Sequence, residues 1–281
     1  MSTEPTFTLS GFGDEIDPDL DTQLELLSEE GLSHLDLRSV EGTNVLDLSA
    51  EQVAAVHDTL DEHGFEVACI GSPIGKVGIE DDFEAHLERF RTAVETAHEF
   101  DTEYVRLFSY YVPEGDDPAD HRDEVMRRMR RKADIAESEG VTLLLENEKE
   151  LYGDTPGRVR DVLTAVDSPN LRCLFDPANF LEIGERSYPD ALLQLVEFVE
   201  YLHVKDAVYG ERGEMRATGE GDGRIAETLA ALRDRGFTGT LALEPHLAEA
   251  GEAGGYSGDE AFRVAIHALE DALDEIDASY A

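Results

Sequence analysis

The sequence predicts a single (β/α)8 TIM barrel spanning residues 1–281, and three observations carry that prediction. Short apolar runs alternate with amphipathic segments eight times along the chain. The runs are mostly continuous in their apolar character, as expected of parallel strands covered on both faces. No low-complexity segment or linker separates the eight units, so nothing divides them into smaller domains.

In chain order the strand runs are TFTLSGF from Thr6, HLDLR from His34, EVACIGS from Glu66, YVRLFSY from Tyr104 and VTLLLEN from Val141. LRCLFD from Leu171, YLHVKD from Tyr201 and TLALEP from Thr240 complete the set. Between them, apolar residues recur at helical spacing: Leu20, Leu24 and Leu27; Val53, Val56 and Leu60; Leu87, Phe90, Val94 and Ala97; Leu192, Leu195 and Val199; Phe262, Ile266 and Leu269. Asp17-Pro18 and Thr155-Pro156 each read as a cap followed by proline in the first helical turn. SAEQ from Ser49 reads as a capping box. Gly31, Gly64, Gly140 and Gly236 fall where helices should stop. The run from Ala248 to Gly258 has the composition of a flexible loop. An open doubly wound sheet is the rival architecture, but GFGDEI after the first strand lacks the third glycine of a phosphate-binding turn and leads into acids.

The composition narrows the function. Hydrophobic residues make up 41%, enough for a large core. Asp and Glu number 64 against 23 Lys and Arg, a formal net charge of −41. Only Lys76, Lys132, Lys149 and Lys205 are lysines. A folded, acid-coated, lysine-poor chain resembles proteins of salt-loving organisms, whose self-repulsion is screened by salt. The same field disfavours nucleic acid and anionic membranes as partners. Cys69 and Cys173 lie in apolar runs and fit a reducing cytoplasm. The first residues lack the basic-then-apolar pattern of a signal peptide, and no apolar run nears the ~20 residues of a membrane span.

In this fold the chemistry sits at the C-terminal strand ends. Strand five ends in Glu146, strand six in Asp176 and strand eight in Glu244, and strand seven carries His203. Three converging carboxylates would repel one another and take up protons unless a cation joins them. The expectation is one divalent metal ion held by Glu146, Asp176, His203 and Glu244. An oxygen-rich set with one imidazole suits Mn2+, Mg2+ or Co2+, with Zn2+ a further candidate. Lys76, Lys149 and Lys205 follow strands three, five and seven, where a substrate should lie. Lys149 could instead serve as counter-ion to Glu148. Arg38, after strand two, and Arg216, before TGEGDG, could also meet an anion. GEGDG carries its own acids and reads as a turn into a helix at Ile225, not as a phosphate loop.

At these residues the chain resembles the sugar phosphate isomerase/epimerase group of the xylose isomerase-like barrels. The likeness runs through GFGDEI, NVLDLS, GSPIGKV, LLENE, YGDTP, FDPANF, HVKDA, GEGDG and LEPH. It implies the same four metal ligands. It further implies that Glu146 and Glu244 act as acid/base groups on opposite faces of a small sugar or sugar phosphate, through a metal-bound enediolate. Asn179 stands where some epimerases have a substrate-contacting histidine, and His246 follows EP where others vary. Both are candidate substrate contacts, with Lys76, Lys205, Arg38 and Arg216, and the substrate's identity is left open. The alternatives are a keto-sugar lyase or dehydratase on the same metal site, an apurinic endonuclease-like phosphodiesterase, and a non-catalytic carbohydrate- or metal-binding module. Composition does not distinguish a monomer from a homo-oligomer.

Overall fold

Eight strand runs pair in parallel in one sheet that curls into a ring, with the first and second runs at its two edges. A computed structural model describes residues 7–247 and 257–281. The strands are β1 (Thr8–Gly11), β2 (His34–Leu37), β3 (Glu66–Ile70), β4 (Tyr104–Leu107), β5 (Thr142–Glu146), β6 (Leu171–Phe175), β7 (Val199–Val204) and β8 (Thr240–Leu243). Their order is β1-β8-β7-β6-β5-β4-β3-β2. β1 and β2 complete the ring through side chains, with Ser10 Oγ donating to Asp36 at 2.6 Å. The loop expected at Ala248–Gly258 lies outside the described residues up to position 256.

The helices are α1 (Leu20–Glu29), α2 (Ala50–His63), α3 (Phe83–Glu99), α4 (Pro118–Glu139), α5 (Pro156–Val166), α6 (Pro177–Glu182), α7 (Leu192–Leu195), α8 (Ile225–Arg233) and α9 (Gly258–Glu275). Leu24, Leu27, Phe90, Ala97, Ile266 and Leu269 are buried in the main core. The SAEQ capping box forms between Ser49 and Gln52. Two local expectations are corrected. Asp19, not Asp17, caps α1, its carboxylate accepting from Thr22 N at 2.9 Å, while Asp17 accepts from Asp19 N. Val199 does not share a helical face with Leu192 and Leu195. It opens β7 opposite Cys173, because the apolar, aromatic run that follows finds a β6 edge to pair with.

Inside the ring, side chains alternate with period two. Phe12, Cys69, Leu144, Leu174, Tyr201 and Ala242 come from six different strands or strand ends and pack as one interior cluster. Tyr201 OH and Ser10 Oγ both donate to the same oxygen of buried Asp36, Oδ1, at 2.5 and 2.6 Å. Two residues further along β5, β6, β7 and β8 come Glu146, Asp176, His203 and Glu244. The apolar plug thus forms the floor on which these polar residues stand.

The outer surface keeps the acid excess. Thermal stability is expected to rise from dilute buffer into molar salt, because screening relieves repulsion within a shell of net charge −41. A thermal midpoint unchanged across that range would contradict this account.

Candidate metal centre

Each member of the cluster is placed by its strand. Glu146 is the last residue of β5 and His203 lies within β7. Asp176 and Glu244 follow β6 and β8 directly. All four are nearly inaccessible to solvent. One ligand atom from each lies within 4.8 Å of the others. His203 Nδ1 faces all three carboxylates, at 3.5 Å from Glu146 Oε1, 4.0 Å from Asp176 Oδ2 and 3.3 Å from Glu244 Oε2. Asp176 Oδ2 and both imidazole nitrogens have no hydrogen-bond partner among the described residues. Three oxygen ligands and one nitrogen ligand converging, some of their buried atoms without a partner among the described residues, fit a divalent cation.

Neighbours hold the cluster in shape. Asp176 caps α6, its Oδ1 accepting from Asn179 N at 2.9 Å. Asn147 clamps the same residue through its backbone, donating to Asp176 O at 2.9 Å and accepting from Asp176 N at 3.0 Å. Asn179 Nδ2 donates to Glu146 Oε1 at 3.1 Å. Arg106, on β4, was not singled out from the sequence. Its Nη1 lies 3.2 Å from Glu146 and 3.6 Å from Glu244, and its other nitrogens donate to the Gly71 and Ser72 carbonyls. The signal was present as an arginine in the apolar run YVRLF, two residues beyond inward-facing Tyr104. Arg38 binds Asp14 through two nitrogens and reaches Glu244 Oε1 at 2.7 Å. The Phe12 ring lies beneath both guanidiniums, 4.6 Å from that of Arg38 and 5.1 Å from that of Arg106, and meets His203 edge-on.

These surroundings set the protonation of the bare cluster. Burial raises Glu146, but His203 and Arg106 outweigh it and bring the carboxyl to about 2. Burial likewise raises Glu244, and Lys205 and His246 outweigh it, holding it well below the ordinary range. Asp176 stays high, at about 6, because burial and the nearby Glu146 exceed the pull of Lys205. Burial lowers His203, yet Glu146 and Glu244 raise it to about 10. The imidazolium thus occupies the electrostatic place of a cation. A metal in the same position would displace that proton, since a ligating nitrogen is unprotonated.

Above the cluster opens a pocket of about 430 Å3 whose wall includes Arg38, Lys76, Arg106, Glu146, Lys205, Glu244 and His246. Lys205 is buried, 3.4 Å from Glu244 and 3.7 Å from Asp176. Lys76 pairs with Glu148 at 2.9 Å and lies over the Phe108 ring. Its loop is drawn inward at Gly75, where an added Cβ would sit 2.0 Å from Phe108 O. His246 Nε2 lies 3.0 Å from buried Glu15 and 3.6 Å from Glu244. The other expected contacts lie elsewhere. Asn179 is buried against Glu146, off the pocket wall. Arg216 lies on a small hairpin (Asp206–Ala207 with Met215–Arg216), where it bonds Met215 O and Glu214. Lys149 takes Glu182 as its counter-ion, at 2.8 Å, instead of adjacent Glu148.

The GEGDG turn holds a carboxylate of the protein itself. Asp206, next to Lys205, accepts from the backbone N–H of Ala207, Gly219, Gly221 and Gly223. A Cβ at Gly221 would fall 2.3 Å from Asp206 Oδ1, so that glycine permits the approach.

An eight-stranded parallel barrel carrying at its strand ends a buried cluster of three carboxylates and one imidazole that could hold a metal ion defines the class. The chain belongs to the xylose isomerase-like TIM barrel family, whose model matches residues 24–277. A curated 3-dehydroshikimate dehydratase of Bacillus anthracis is 23% identical over 178 residues, 63% of either chain. An uncharacterized protein of Methanocaldococcus jannaschii is 27% identical over 164 residues, 56% of either chain. The matches thus span 56% and 63% of these two relatives' lengths. Among solved structures, a D-tagatose 3-epimerase-like protein superposes with a TM-score of 0.78 at 19% identity, over 96% of this chain and 98% of that one. The IOLI protein with a bound zinc atom gives 0.76 at 18% identity, over 96% and 99%. A xylose isomerase-like barrel protein from Mycobacterium smegmatis in complex with magnesium gives 0.70 at 19% identity, over 96% and 98%. At these identities the structural likenesses establish the fold.

Proposed function

We propose that the protein is a divalent-metal-dependent isomerase or epimerase acting on a sugar or sugar phosphate. The observation that carries this reading is the placement of Glu146 and Glu244. Both line an open pocket and both belong to the cluster of four ligand-type residues beneath it. When bound, the metal would supply Lewis-acid polarisation of two neighbouring substrate oxygens. Glu146, Asp176, His203 and Glu244 would hold it, with Mn2+, Mg2+ or Co2+ preferred for so oxygen-rich a set and Zn2+ also suitable.

The remaining roles fall to the chain's own groups. Moving a proton at the carbon beside a carbonyl needs one base to take it and one acid to return it. Glu146 and Glu244 approach the pocket from strands three apart in the ring and divide these tasks. Arg106 steadies both carboxylates, and Asn179 aims Glu146. Arg38, Lys76, Lys205 and His246 ring the pocket and bind the substrate's oxygens or phosphate. Asn179 acts as a positioning group, and Arg216, bonded on its hairpin, is left out of the substrate set.

Two measurements test this reading. One divalent ion per chain should bind at the four residues. Chelation should abolish activity and Mn2+ should restore it, whereas an ion located elsewhere at saturation would overturn the ligand set. Ketoses and ketose phosphates incubated with metal-loaded protein in D2O should isomerise or epimerise, gaining deuterium at the reacting carbon. Metal-loaded protein that neither converts nor exchanges any of them would count against the function.

A second reading is a dehydratase on a keto-sugar. It is favoured by buried Lys205, whose ammonium lies beside two of the cluster carboxylates and could hydrogen-bond a leaving hydroxyl and offset its charge. The curated dehydratase relative points the same way. Loss of water with a new conjugated absorbance would select it.

A further inference from the structure

Three buried polar side chains gather around the ring of buried Tyr110, between α3, α4 and the turn after β4, away from the strand-end cluster. Lys132 and Tyr110 are fully buried, Arg128 is 5% exposed and His86 8%. Lys132 Nζ lies 4.5 Å from the Tyr110 ring centroid, the Arg128 guanidinium 5.4 Å and the His86 ring 5.7 Å. Lys132 Nζ, Arg128 Nη1, His86 Nε2 and Tyr110 OH have no hydrogen-bond partner among the described residues.

The nearby acids are committed elsewhere. Glu124 binds Arg127 and the Nε of Arg128. The Asp81 carboxylate accepts from Gly78 N, and its carbonyl takes Arg128 Nη2. Lys76, Lys149 and Lys205 each pair with a carboxylate, whereas among the described residues Lys132 meets only the face of an aromatic ring. A cation–π contact offsets only part of the cost of burying an ammonium. Arg128, one helical turn away, repels it further. Burial and that repulsion bring Lys132 down to about 7. Burial also keeps His86 neutral, at about 3, and pushes the Tyr110 hydroxyl up so that it stays protonated. Both can therefore donate.

We propose that this cluster is a binding site for a small monovalent anion of the chloride class. Lys132 and Arg128 Nη1 supply the charge, with Tyr110 OH and His86 as further donors. Four donor groups call for an acceptor; Arg128 is cationic, and a bound anion would hold Lys132 in its ammonium form. Water accepts hydrogen bonds without offsetting that charge, and a larger oxyanion would force apart a fully buried cluster. The site has a structural consequence. Tyr110 N donates to Gly75 O at 3.1 Å and Tyr111 N to Val77 O at 2.9 Å. An anion on Tyr110 would therefore brace the loop carrying Lys76.

The test compares thermal midpoints in chloride and in gluconate at equal ionic strength, which separates specific binding from screening. Chloride should add a saturable rise over gluconate. Lys132→Met should lose that difference while keeping its response to ionic strength. Crystals grown in bromide should show an anomalous peak beside Lys132 Nζ. Equal wild-type midpoints in the two salts, a chloride-specific rise intact in Lys132→Met, or bromide absent from the cluster would each overturn the site. If Lys132→Met does not fold, the wild-type comparison and the bromide peak still decide the matter.

Discussion

Metal-loaded Glu244→Gln protein is expected to turn over its substrate about 10²-fold or more slowly than the wild type. The amide keeps the shape of the side chain but cannot accept a proton from carbon. It also replaces an anion that Arg38 reaches at 2.7 Å and Lys205 at 3.4 Å, so the surrounding charge shifts as well. Glu146→Gln should lose a comparable factor. There the amide retains one oxygen for Asn179 or Arg106 but cannot serve both as the carboxylate does. Both residues are proposed ligands, so metal content must be measured in the sample assayed. With metal retained, deuterium incorporation from D2O should fall in both variants. Full activity in metal-loaded Glu244→Gln would rule out a mechanism using two carboxylates.

The second large effect concerns stability. Asp206→Ala should cost about 3 kcal/mol or more, because several backbone N–H groups lose a buried acceptor, each loss costing about 1–3 kcal/mol. The carboxylate is 1% exposed and accepts from Ala207, Gly219, Gly221 and Gly223. Asp206→Asn should fall between the two, since its amide turns an NH2 toward groups that are themselves donors. Urea unfolding at fixed salt reads the difference directly. A loss below about 1 kcal/mol for the alanine variant would mean that the turn re-forms on water or another acceptor. Because Lys205 precedes Asp206, the variant should also weaken binding in the pocket.

Much of the fold was legible because its signals are local. Apolar runs, a Ser-Gln capping box and glycines at helix ends are read from a few adjacent residues, and the structure has strands or helix ends at each. Two mistakes were also local. Asp17 and Asp19 both precede α1 and both make turn-type bonds, so spacing alone could not choose the cap. Val199 fits a helical period as well as it fits a strand, and only pairing with Cys173 in β6 decides between them.

The sequence by itself determined the barrel and the four strand-end residues, because a strand's length and its period-two alternation dictate which side chains reach its C-terminal end inside the ring. Tertiary structure decided the partners. Arg106 meets Glu146 across 40 residues of chain and Arg38 meets Glu244 across 206. Lys149 passes over adjacent Glu148 for Glu182, while Lys76 takes Glu148. Asn179 turns to Glu146, and Lys132 is buried against the ring of Tyr110. Long polar side chains choose among several neighbours by distance and burial in space. Those quantities exist only once the ring has closed.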